Sequence, residues 1–325
     1  MSNLTNPLVT PSQLTQSQSQ SQLPPEIQDS IRFYTARLTQ AAGILLRLPQ
    51  DVTAKANVLL FRYWVVDGMG GVEGWEFSDI SASVLYLTAK MSSSPRSLRS
   101  ITNTYAFLLS SLGSTYLSSS TPPTSPDATT YYLSESAYAS QKTIMLNLEG
   151  QILNALGFQT HVALPHALAI TYLQTLDVFN LPSTSNSKSS SKPKDKSKTP
   201  GQLLAHRTIA HLNTALLSPQ MLYLTHQPPA LATAAIYLAA REVGVKLPEC
   251  EWWEVFDCER EELGFLVVAM GSLGGWVEVV RERWGAERGF LRRVNVRGLV
   301  EGGGGKEEED EESEMARMLD RRVEA

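Results

Sequence analysis

Apolar residues along this chain recur every three or four positions and almost nowhere every two. Ile27, Ile31, Tyr34, Leu38, Ala41 and Leu45 mark one face of a helix that opens at Pro24-Pro25-Glu26. Proline suits a first helical turn, and the glutamate there complements the helix dipole. Leu48-Pro49-Gln50 breaks this helix, and Asp51 is expected to cap a second one running through Val52, Val58, Leu59, Phe61 and Tyr63 to Trp64. A glycine-rich turn at Asp67-Gly68-Met69-Gly70-Gly71 leads to a third helix, from about Ser78 to Met91. Ser92-Ser93-Ser94-Pro95 ends it, because proline disfavours a helical residue before it. Further helices are expected from about Arg96 to Leu109 and from about Ser134 to Leu156, the latter stopped by Gly157. The Ser/Thr/Pro stretch from Ser110 to Thr130 between them is long for a compact domain and reads as an insertion.

The second half repeats the scheme. Pro165 opens a helix reaching Phe179, and Leu181 to Pro200 is a Ser/Lys/Pro linker or loop. Gln202 to Leu216 is helical, Pro228-Pro229 opens another helix, and Glu251 to Phe256 forms a short one. Asp257 is expected to cap the last, with Glu259, Glu261 and Glu262 in its first turn. One short pattern occurs in both halves. Tyr86-Leu87-Thr88-Ala89-Lys90 closes a small-residue helix after Ser81-Ala82-Ser83-Val84-Leu85. Tyr237-Leu238-Ala239-Ala240-Arg241 closes another after Ala232-Thr233-Ala234-Ala235-Ile236. Small residues let neighbours approach from several sides, so each such helix is expected at the centre of a bundle. The expectation is an all-α chain with two tandem bundles of five helices, over 23–160 and 161–285, the second carrying an insertion at 181–200.

Composition narrows the function classes. The 325 residues are enough for two cores, with 42% hydrophobic and 19% charged residues. Residues 1–22 are Ser/Gln-rich and expected to stay disordered, as is most of the acidic tail over 286–325. A net charge of −5 argues against a general nucleic-acid binder. No apolar run is expected to approach the roughly 20 residues of a membrane span, so no membrane partner is expected. The N-terminus lacks the apolar stretch of a signal peptide. Two cysteines, Cys250 and Cys258, give no disulfide framework, in keeping with a reducing compartment.

Catalytic chemistry finds little support. His161 and His166, and likewise His206 and His211, are five apart, which puts each pair on different helix faces rather than at a zinc-binding spacing of four. Gly68-Met69-Gly70-Gly71 follows a helix instead of the strand that a dinucleotide loop requires. Gly302 to Gly305 with Lys306 lacks the Ser or Thr of a phosphate loop, and Ser189-Ser190-Ser191-Lys192 lies in low-complexity sequence. No cofactor, metal or small-molecule ligand is expected. Lys188, Lys192, Lys194, Lys196 and Lys198 form a basic run that reads as a solvated loop or a nuclear-import or phosphate-contact segment.

Two charges stand out against their surroundings. Lys90 ends an apolar helix, and Glu149 lies among Leu146, Leu148, Ile152 and Leu153. An isolated buried charge is costly unless paired. Each side chain either points to the rim and is solvated, or the two meet at the bundle edge. A meeting pair would offer one donor and one acceptor to the unsatisfied groups of a partner's helix end.

At these residues the chain resembles the cyclins, particularly the transcription-associated branch and cyclin L. The resemblance is carried by Leu38 to Gln50 in the first helix and by Tyr86 to Lys90 with Pro95-Arg96-Ser97-Leu98-Arg99. It continues through Glu149 to Phe158, His161-Val162 with Leu164-Pro165-His166, and Thr233 to Arg241, spanning about residues 25–285. It implies two cyclin boxes, a nuclear location and a regulatory subunit that binds and activates a cyclin-dependent kinase in transcription by RNA polymerase II or RNA processing. By motif position it implies kinase contact through Lys90 and Glu149, with Met91 and Leu153 as apolar neighbours. ATP, magnesium and phosphoryl transfer would belong to the kinase. The family commonly carries acidic residues just after the lysine, where Ser92-Ser93-Ser94 stand here. The alternative reading is a transcription-factor-like adaptor of the same fold that binds DNA or polymerase without a kinase.

Overall fold

The computed structural model describes residues 5–21, 23–67, 69, 74–110, 113, 131–180, 199–285 and 289–301. Most of the two Ser-rich insertions, the lysine run and the acidic stretch after 301 lie outside them. Among the described residues there are 12 α-helices and no strands. They are α1 (Pro11–Gln20), α2 (Pro25–Leu45), α3 (Gln50–Asp67), α4 (Phe77–Lys90), α5 (Leu98–Leu109) and α6 (Glu135–Ala155), then α7 (Pro165–Thr175), α8 (Pro200–Ala215), α9 (Leu222–Thr225), α10 (Pro228–Val243), α11 (Arg260–Trp284) and α12 (Arg293–Glu301).

Each small-residue helix sits at the centre of its bundle. α4 packs against α2, α3, α5 and α6, while α10 packs against α7, α8 and α11. Ser81, Ser83, Val84 and Leu85 are fully buried, and so are Ala232, Ala234, Ala235 and Ile236. Of the two serines, the Ser83 hydroxyl has no hydrogen-bond partner among the described residues, whereas Ser81 is bonded on both sides. The Ser81 hydroxyl lies 2.6 Å from that of Thr39 and 2.5 Å from that of Tyr105, joining α4 to α2 and α5. Burial raises the Tyr105 phenol well above its ordinary pKa, so it stays protonated. Gly43 sets the crossing of α2 and α3: a Cβ there would lie 2.3 Å from Thr53 Oγ1.

The N-terminal segment corrects the expectation of a disordered tail over 1–22. Pro11 to Gln20 form a helix whose start is held by Thr10 and Gln13, each side chain bonding the other's backbone N–H. Ser17 is buried and donates to the Trp64 carbonyl of α3. Ahead of the helix, Asn6 is clamped between the bundles. Its amide donates to the Ala163 carbonyl and accepts from the Ala163 N–H, both at 2.8 Å. Its backbone exchanges two bonds with the Gln227 side chain, and Val9 N–H donates to Leu224 O. Arg62 of α3 reaches the His161 carbonyl at 2.7 Å and Asn6 Oδ1 at 3.4 Å. Entropy arguments from composition missed this because a mostly polar segment is ordered here by long-range hydrogen bonds together with the packing of Val9 and Leu14 against the core.

Four other expectations also change. The segment 286–325 is helical at α12, whose Arg293 is buried against the first bundle. The guanidinium donates to Trp75 O at 2.5 Å and Met69 O at 3.2 Å and lies over the Phe77 ring. Asp257 does not cap α11. It adopts a left-handed conformation, φ 54°, that closes the turn Glu254–Phe256, and Glu259 takes the cap position once Cys258 has turned inward. Asp51 lies inside α3, because the Pro49 carbonyl already accepts from Val52 and Thr53; its carboxylate pairs instead with Lys55. Finally, α11 is long and apolar enough to cross a membrane by length and composition, with a mean hydropathy of 1.8 over its best 18 residues. Its inner face, Leu263, Leu266, Ala269, Met270 and Leu273, is buried in the second bundle.

Candidate functional site

Lys90 and Glu149 meet. Lys90 is the last residue of α4, Glu149 lies in the C-terminal half of α6, and the two helices pack directly. The Lys90 ammonium is 3.2 Å from Glu149 Oε1, with 57% of the lysine side chain exposed but only 10% of the glutamate's. The same ammonium sits 5.7 Å from the centre of the Tyr86 ring, one turn back along α4. A charge at the C-terminus of α4 also complements the helix dipole. The pair is therefore a solvent-facing cation set over a mostly buried carboxylate.

The turn after Lys90 is fixed by its own hydroxyls. Ser92 Oγ donates to the Ala89 carbonyl at 2.8 Å and accepts from Ser94 N–H at 3.0 Å, which satisfies groups left over at the helix end. Arg96 then ties the loop down, donating to Leu46 O at 2.8 Å and Arg47 O at 3.0 Å at the end of α2. Arg47 itself is left-handed, φ 51°, which ends the run out of α2 where Arg96 binds.

Apolar residues flank the ion pair along the chain. Met91 is exposed directly after Lys90, and Leu153 is half-buried one turn beyond Glu149. Leu146, one turn before Glu149, and Phe158, just past the end of α6, are exposed as well. The sequence had placed Leu146 among the neighbours of Glu149 and Phe158 within the matched motif, but neither as a contact residue. Phe158 follows the helix-stopping Gly157 and takes a left-handed φ of 60°.

His166 and His211 have partners within the fold. His166 Nε2 donates to Asn213 Oδ1 at 2.9 Å, which also accepts from Gln50 of α3 at 3.0 Å. His211 lies 3.2 Å from Glu242. Cys258 is buried, and burial first, then Glu262 and Glu259, pushes its thiol up to about 12.

No family model matches the chain. Among curated proteins it is similar to Cyclin-L1 of Gallus gallus, 27% identical over 244 residues, covering 75% of this chain and 39% of that protein. Human Cyclin-L1 is 28% identical over 234 residues, and human Cyclin-L2 27% over 244. The chain thus spans about two fifths of the length of these relatives. Among solved structures its fold is similar to a chain of the yeast RNA Pol II CTD kinase complex CTDK-1, with TM-score 0.60 and 12% identity, covering 93% of this chain and 84% of that one. A chain of the CAK complex from Chaetomium thermophilum gives TM-score 0.55 and 14% identity, covering 93% of each. In its sequence over three quarters of its length, and in its all-helical two-bundle fold, the chain is similar to the cyclins.

Proposed function

We propose that this chain is the regulatory subunit of a cyclin-dependent kinase acting in transcription by RNA polymerase II or in RNA processing, and that it works in the nucleus. The observation that carries the reading is the Lys90–Glu149 pair, with Met91 next to the lysine and Leu146 and Leu153 one turn either side of the glutamate. A buried carboxylate aims an exposed ammonium outward, with apolar area on both sides. Such a surface is suited to gripping the end of a partner helix: the lysine meets its free carbonyls, and the apolar residues exclude water around them.

A subunit of this kind activates by binding the active arrangement of the kinase better than the inactive one. Phosphoryl transfer, with its ATP and magnesium, is the partner's chemistry. The named relatives are cyclins, and the matching folds come from kinase complexes, which supports the same partner class.

The test is affinity capture of the full chain from cells with identification of the kinase bound, repeated with Lys90→Glu plus Glu149→Lys. The double reversal keeps an ion pair and so the fold, yet inverts the polarity offered to the partner. Loss of the kinase at unchanged helical content is expected. Full kinase capture by that variant would remove this surface from the reading.

A further inference from the structure

The chain holds six dipeptides in which serine or threonine precedes proline, at Thr10, Ser94, Thr121, Ser125, Thr199 and Ser218. Proline-directed kinases read this dipeptide, in which the proline offers no N–H and keeps the residue before it extended. The fold separates the six. Ser218 is buried, and Thr121 and Ser125 lie outside the described residues. Thr10 and Thr199 use their hydroxyls as helix caps, accepting from Gln13 N–H and Gln202 N–H. Ser94 is different. It is partly exposed, its backbone N–H donates to Ser92 Oγ, and its own hydroxyl makes no hydrogen bond among the described residues.

Two arginines at this turn are not neutralised. The Arg96 guanidinium folds back on the peptide that follows Ser94, with Nη1 donating to the Pro95 carbonyl at 3.3 Å. Its Nε and Nη2 donate to Leu46 O and Arg47 O. Three of its five N–H groups are thus engaged, all by carbonyls, and one is left on each terminal nitrogen. The side chain of Arg47, on the residue whose carbonyl Arg96 holds, is exposed and makes no hydrogen bond or ion pair among the described residues. Arg99, by contrast, is taken by Glu135.

We propose that Ser94 is a phosphorylation site and that Arg96 and Arg47 receive the phosphate. A proline-directed serine/threonine kinase transfers the γ-phosphoryl group of ATP. The bond from Ser94 Oγ to phosphorus forms, the bond to the β-phosphate oxygen breaks, ADP leaves, and the hydroxyl proton passes to a base on that kinase. The product carries a charge of about −1.5 to −2 at neutral pH, with three acceptor oxygens. Guanidinium groups match such oxygens through paired N–H groups. The dipole at the C-terminus of α4 opposes an anion, but its effect fades within a turn and Ser94 lies four residues past Lys90. Arg96 already ties the turn after α4 to the end of α2, so the phosphate adds a charged clasp to a contact made through carbonyls. The proposal does not depend on the kinase partner proposed above.

The test phosphorylates the full chain with MgATP and an active mitogen-activated protein kinase, maps the product by mass spectrometry and titrates it by phosphorus NMR. Phosphate on Ser94 is expected. The signal that Ser94→Ala removes should titrate below about 6, the ordinary second pKa of phosphoserine, because neighbouring cations favour the dianion. Arg47→Gln should move that pKa back up without preventing the transfer, and Arg47→Lys should keep part of the shift. Absence of phosphate on Ser94 overturns the proposal. A Ser94 signal that titrates at the ordinary value, or that Arg47→Gln leaves unmoved, overturns it too.

Discussion

Lys90 and Glu149 share one ion pair but do not depend on it equally. The lysine is solvated and loses little when its partner goes, whereas the glutamate is nearly enclosed. Lys90→Ala should therefore cost about 1–3 kcal/mol of stability, by leaving a buried carboxylate unpaired. Glu149→Ala should cost less than about 1 kcal/mol through the lost pair itself. Urea denaturation of the two variants checks the order, and an inverted order would mean the carboxylate is better hydrated than its burial implies. His166 and His226 give a second prediction at this scale. Burial lowers the pKa of both, against the weaker opposing effects of Asn213 and of the Leu222 backbone. The unfolded chain then binds more protons than the folded one just below the ordinary histidine value, about 6.5. Stability should be full above that pH and fall as the pH drops through the depressed folded-state values. His166→Gln should flatten the slope in a series of thermal melts.

At the level of single helices, periodicity was a good guide to existence and a poor one to ends. α2, α4 and α10 lie where their apolar or small-residue periods put them, because those periods record which faces are buried. The start of α11 was misplaced by two residues, since the inward turn of Cys258 is a tertiary event that a capping rule cannot register. The candidate site was legible for the same reason the core was. A lysine and a glutamate on apolar helices break the pattern, and a break must be explained. Phe158 breaks no pattern, since a lone aromatic after a helix stop is an ordinary thing, so its exposure emerged only with the fold. The crossing of α2 on α3 supplies a sharper test. Gly43 leaves no room for a side chain beside Thr53, so Gly43→Ala should destabilise the protein by about 1–3 kcal/mol even though alanine is the better helix former. Adding Thr53→Ala removes both the hydroxyl and the methyl that crowd the new side chain and should recover part of the loss.

Across the whole molecule, the two bundles are held together by polar contacts as well as by packing. The chain Gln40–Gln50–Asn213–His166 joins α2 and α3 to α8 and α7, and Asn6 ties Arg62, Ala163 and Gln227 into one cluster. None of this was legible from composition, because Asn, Gln and His in polar segments look the same whether they are solvated or buried. Asn6→Ala should cost about 2–4 kcal/mol by orphaning the Ala163 N–H and C=O, and calorimetry should show the unfolding transition broadening as the bundles uncouple. The Asn6 clamp also imposes an order on biosynthesis. Its partners at 163 and 227 lie 157 and 221 residues downstream. At roughly 5–20 residues per second, the strap leaves the ribosome about 10–45 s before Gln227 exists to receive it. This segment is thus made well before it can be seated, and for that interval the edge of α3 that it covers stands open to chaperones.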